Sequence, residues 1–153
     1  MDYKQFLKHM KSKNLKKAAL KIAKKEYGVD VIVDCNLKRY CGYTDFITRK
    51  IVIAAKLKPR IFVTTIFHEL GHIHCLRNNK YPIYHLKRPT TKKLRRDIKA
   101  TALRAELYVD KWGETECNKH FPKLKYDRAY RSKKDKKWFN KFLKKRFKEY
   151  KQF

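Results

Sequence analysis

Acidic side chains are scarce beside basic ones: 14 Asp and Glu stand against 42 Lys and Arg, giving a formal net charge of +28 at pH 7. A field of that sign attracts polyanions, and it bears on association rather than on fold. Cysteines are few, and Cys35, Cys41, Cys75 and Cys117 include no Cys-x-x-Cys pair. That argues against a zinc ribbon or a secreted disulfide framework and for reduced thiols in a cytoplasmic protein. No apolar run reaches the roughly 18 residues that a membrane-spanning helix needs. The opening residues, Met1 to His9, lack the apolar region of a signal peptide. There is no internal repeat, no Gly-rich phosphate loop and no Ser/His/Asp pattern. At 153 residues the chain is read as one domain, 1–153, large enough to bury roughly two-thirds of its unfolded surface.

The positive charge is concentrated. Lys16, Lys17, Lys21, Lys24 and Lys25 lie near the start, and Lys133, Lys134, Lys136, Lys137, Lys141, Lys144, Lys145 and Arg146 near the end. A third run extends from Lys87 and Arg88 through Lys92 and Lys93 to Arg95 and Arg96. Lysine-rich helix faces are commonly just solvated, and the excess of Lys over Arg fits an AT-rich genome. Such a bias usually raises the acids as well, and here it does not. Contact with nucleic acid or another polyanion is therefore an expectation, driven by counterion release and not by sequence reading.

Residues 68–72 read His-Glu-Leu-Gly-His. On a helix His68 and His72 project from one face, one turn apart. Two neutral imidazoles at that spacing can take two corners of a tetrahedral Zn²⁺ site, with Glu69 beside them as a general base toward metal-activated water. The plainer alternative is a pair of surface histidines around a charged Glu. The stretch Ile61 to Ile73 is too apolar for that: such a helix is buried, and a buried imidazole or carboxylate needs a partner or a metal. Gly71 costs the helix roughly 1 kcal/mol relative to Ala, which makes sense where another backbone packs close.

A catalytic zinc takes three protein ligands and keeps a fourth position open. Glu106 and Asp110 are again four residues apart. Glu106 is a candidate ligand, and Asp110 a candidate acceptor for the free N–H of a ligating histidine. The alternative is a solvated Glu–Asp pair, although like charges at that spacing repel mildly. His85 is a rival third ligand. The elongated three-histidine signature is absent, because Asn78 stands where its last histidine belongs and Cys75 where its glycine does. His74 points away from the metal face.

With His68, Glu69, His72, Glu106 and Asp110 in this order, the chain resembles the gluzincin metallopeptidases. More narrowly it is similar to the ImmA/IrrE-like minimal metallopeptidases of phages and mobile elements, over about residues 15–113. The resemblance implies a zinc-dependent endopeptidase, often acting on a regulator, with His68, His72 and Glu106 as ligands and Glu69 as general base. Val109-Asp110-Lys111-Trp112 departs from the Asn-x-Phe-Ala string common after that glutamate and is closer to other gluzincins.

The expected fold is α+β and zincin-like: a small three-stranded sheet with helices on one face, and the cleft between sheet edge and zinc helix. A short helix over 2–11 is interrupted at Ser12-Lys13-Asn14, and Asn14 caps a second helix with Leu15, Ala18, Ala19, Ile22 and Ala23 inward, ending at Gly28. Strands follow over Val29–Val33, Tyr40–Ile47 and Lys50–Ala54, the last two joined by a turn at Thr48-Arg49. The zinc helix runs from about Arg60, just after Pro59, to Arg77. Residues 79–90 form a loop in which Tyr84 or His85 can stabilise the transition state. Thr90 or Thr91 caps the glutamate helix, which ends at Gly113. Residues 117–131 are irregular. A basic C-terminal extension, 114–153, holds a last helix opened by Ser132 and Asp135, with Trp138, Phe139, Phe142, Leu143, Phe147 and Tyr150 on one side. Packing on the domain is favoured for that helix over a membrane-surface or nucleic-acid-binding role.

The functional expectation is a zinc metallopeptidase acting on a protein or peptide that pairs with the sheet edge. The alternative is a nucleic-acid-associated basic protein, either packaged with a phage genome or tethered to DNA, with a structural or vestigial metal site.

Overall fold

The computed structural model describes residues 3–38, 40–81 and 91–128, together with residues 137, 141, 144 and 145; for residues 4–10 and 12 it describes the backbone alone. Tyr84, His85, the Ser132–Asp135 capping box and the aromatic side of the last helix lie outside the described residues.

The most apolar strand takes the middle of the sheet. The three strands, β1 (Val31–Asp34), β2 (Gly42–Asp45) and β3 (Lys50–Ala54), lie in the order β1-β3-β2. β1 runs parallel to β3, with Val31 opposite Ile51, and β2 runs antiparallel to it, with Thr44 opposite Ile51. Alternation along β3 sends Ile51 and Ile53, both fully buried, to the helix-covered face. On the other face Ile32, Val52 and Tyr43 form a row, with Ile32 and Tyr43 about half exposed.

Three helices complete the described fold, α1 (Tyr3–Tyr27), α2 (Pro59–Arg77) and α3 (Lys92–His120), so the molecule is α+β with a small mixed sheet. α1 lays Ala19 and Ala23 against the core and ends at Gly28, whose φ of 65° turns the chain so that the Val29 N–H reaches the Ala23 carbonyl at 3.0 Å. α1 is continuous, contrary to the expected break at Ser12-Lys13-Asn14. Ser and Asn cost a helix only about 0.5 kcal/mol each, and no Gly or Pro stands there to stop it.

α2 is the hub, packed against α1, α3, β2 and β3. Pro59 opens it, where the missing N–H is harmless. Phe62, Val63, Ile66, Phe67, Leu70 and Ile73 are all essentially buried. At roughly 1.5–3 kcal/mol each, that burial far outweighs the penalty of Gly71.

Thr91 caps α3, its hydroxyl accepting from the Leu94 N–H at 3.1 Å. α3 then runs to His120, two turns beyond the expected end at Gly113. Gly113 is a contact residue and not a terminator: a Cβ there would lie 2.9 Å from the Phe67 carbonyl oxygen and 2.5 Å from the Tyr126 hydroxyl. Of the stretch 117–131 expected to be irregular, 117–120 instead close α3, while 121–128 are irregular and are strapped back by Arg128–Glu114 and by Arg60, which reaches the Lys125 carbonyl at 3.3 Å. Strand β2 stops at Asp45, short of the expected Ile47, because Asp45 Oδ1 accepts the N–H groups of Ile47 (2.9 Å) and Thr48 (3.2 Å) and closes a turn. Among the described residues no helix is long and apolar enough to cross a membrane.

Candidate metal centre

Two glycines set how close the site-bearing helices come. A Cβ on Gly71 would meet Val109 Cγ1 at 2.8 Å and the Val109 carbonyl at 3.0 Å. Gly113 does the same against Phe67. Phe67 faces Gly113 and Gly71 faces Val109, so α2 and α3 run antiparallel in a fixed register. That register puts His68 and His72 opposite Glu106 and Asp110.

The side chains meet accordingly. His68 Nε2 lies 3.0 Å from Glu106 Oε2, and His72 Nε2 lies 3.3 Å from Glu106 Oε1. One candidate ligand atom from each of His68, His72 and Glu106 falls within 4.8 Å of the others. Around a tetrahedral zinc with bonds of about 2.0–2.1 Å, neighbouring donor atoms are separated by about 3.3 Å. Glu106 Oε2 is buried and has no aligned hydrogen-bond donor despite its nearness to His68. A buried carboxylate oxygen without a donor is costly, and a cation between the three residues would supply what it lacks. Two imidazoles and one carboxylate are also a donor set that zinc accepts, so the residues fit such an ion.

His68 Nδ1 is 2.8 Å from Asp110 Oδ1. This contact turns Nε2 toward Glu106 and fixes the ring's orientation, the part sequence spacing had suggested for Asp110. Phe46, in the turn after β2, sets its ring edge-on to His72 at 6.0 Å between centroids. Glu69 is buried next to the histidines, and Thr44 of β2 hydrogen-bonds its Oε2 at 2.6 Å. Thr44 was not foreseen; it lies 25 residues upstream on another element, and nothing in its sequence context signals the contact.

Electrostatics bind the cluster together. Burial opposes charge on His68, but the hydrogen bond to Asp110 and the negative charges of Glu106 and Glu69 outweigh it and hold the imidazole well above its ordinary value. His72 is also raised: burial opposes, and Glu106 and Glu69 prevail. Burial would raise Glu106, yet the two histidines hold its carboxyl well below the usual range.

His74 stands apart from the site, stacked on Trp112 at 4.7 Å and 3.2 Å from the Tyr108 hydroxyl. All four cysteines are free, Cys75 and Cys117 buried, Cys35 and Cys41 exposed. No known protein family, curated protein or solved structure matches the chain.

Proposed function

We propose that the protein is a zinc-dependent metallopeptidase with a zincin-like catalytic core, in which His68, His72 and Glu106 hold the ion. The observation that carries this reading is the convergence of those three side chains from two helices, within 4.8 Å, with Glu69 buried alongside. Zinc in that cage supplies Lewis acidity, bringing the pKa of water from about 15.7 to about 7 and polarising a carbonyl.

The chain's own groups do the rest. Glu69 takes a proton from the attacking water and returns it to the leaving amine nitrogen. Thr44 donates to Oε2 and so leaves Oε1 as the oxygen for that proton. Asp110 holds the His68 ring in the tautomer that presents Nε2. β2 is an edge strand, and a peptide extended along its outer side would pass beside Thr44 and Glu69, pairing by backbone hydrogen bonds. The gluzincin-like order of His68, Glu69, His72, Glu106 and Asp110 supports the same reading.

Glu69→Gln tests it. The variant is expected to retain metal while peptide-bond cleavage falls about 10²–10⁴-fold. Undiminished cleavage by the variant would refute the role given to Glu69.

A further inference from the structure

On α3, upstream of Glu106, Lys92, Arg95, Arg96 and Lys99 recur at spacings of three and four residues and so share one face of the helix. From Lys92 to Lys99 that face is about 10 Å long. Among the described residues none of the four forms an ion pair; the acids that do pair are engaged elsewhere, with Lys24, Arg60, His68, His72, Lys119 and Arg128. Asp97, the one acid on this stretch, is exposed and pairs with none of them.

The cluster is also under internal repulsion. Lys99 is pushed below its ordinary value, first by partial burial and then by the charges of Lys144 and Arg95. Lys144 belongs to the C-terminal extension, so two separate parts of the chain bring cations together here. Lys141, Lys144 and Lys145 are each helical and exposed. The Nε of Arg95 is buried and has no hydrogen-bond acceptor. A phosphate set beside the exposed cations would relieve that repulsion.

We propose that the Arg95–Lys99–Lys144 cluster, extended by Lys92, Arg96 and Lys141, grips the phosphate backbone of a nucleic acid. A membrane surface fits less well. A helix that lies on lipid sets large apolar residues beside its lysines, and on the described part of α3 the one exposed large apolar residue is Leu107, beyond the basic face. Backbone phosphates need no such anchor. The surface is separate from the buried metal centre, and its binding does not depend on the peptidase reading.

The test is fluorescence anisotropy with a short labelled DNA duplex and the full chain. Arg95→Gln/Lys99→Gln/Lys144→Gln is compared with Lys13→Gln/Lys17→Gln/Lys21→Gln, three exposed positions on α1 that remove the same charge. Each lost phosphate contact should lower the salt slope by about 0.9, so at about 0.1 M salt the cluster variant should bind at least about thirtyfold more weakly and the α1 variant no more than about threefold. Lys144→Gln alone, at an exposed position, should cost about three- to eightfold and needs no refolding of the core. Equal losses in the two triple variants, no binding by the parent, or binding to phosphatidylserine vesicles in preference to DNA would each overturn the proposal. Metal content measured on the same samples keeps this result apart from the fate of the metal site.

Discussion

At the scale of residues, His68 is held at both nitrogens, by Asp110 at Nδ1 and by Glu106 near Nε2. Below its raised folded value the imidazole carries a proton on Nε2 as well, which a metal would displace, so in that range metal uptake is coupled to proton release. The sign follows for stability. A histidine raised above its unfolded value of about 6.5 stabilises the metal-free fold fully below that pH and loses this contribution as pH rises through the folded value. Glu106, lowered from about 4.5, stabilises above that pH and loses its contribution as pH falls through the folded value. Metal-free protein should therefore be most stable between about pH 4.5 and 6.5 and melt lower as pH rises further, while the stabilisation by added zinc grows over that rise. Thermal melts with and without zinc check this; a zinc effect that shrinks from pH 6 to 8 would contradict it. Which residues could bind was legible in the spacings of four. Thr44 was not, since period and spacing describe one element and its contact crosses between two.

At the scale of elements, the α2–α3 register is the device that makes a site from two helices. Gly71 was readable as a point of close approach, because a glycine inside so apolar a helix needs a packing reason. Gly113 was misread as a helix end, since a glycine after an amphipathic run fits a terminator and a contact equally well. Which of the two holds is decided by Phe67 and Tyr126, far away in sequence. The break expected in α1 failed for the opposite reason: Ser12 and Asn14 have only weak local preferences, and the buried face from Leu15 to Ala23 carries the helix. Gly113→Ala forces a methyl into the Phe67 carbonyl and the Tyr126 hydroxyl, which should cost about 1–3 kcal/mol and weaken zinc binding by separating Glu106 from the histidines. Denaturant melts and zinc titration of that variant check both effects. Unchanged zinc affinity with lowered stability would mean that the helix spacing does not govern the site.

At the scale of the whole molecule, few acids have to serve many cations. Several of them are drawn into the α2–α3 centre or into straps such as Arg128–Glu114, and among the described residues the basic face of α3 forms no ion pair. Net charge was plain in the sequence, but its meaning was not, because only the fold shows which cations are paired. The α+β class and the sheet's position beneath the helices were legible from the order of apolar periods, whereas strand order and the parallel β1–β3 pairing were not. Zinc content after exhaustive dialysis, for the parent and for Glu106→Ala, is the measurement that bears most directly on the metal centre. One zinc per chain is expected for the parent, and affinity reduced about tenfold to a hundredfold or more for the variant. A parent that retains no zinc, or a variant that retains it as tightly, would contradict a metal centre built from His68, His72 and Glu106.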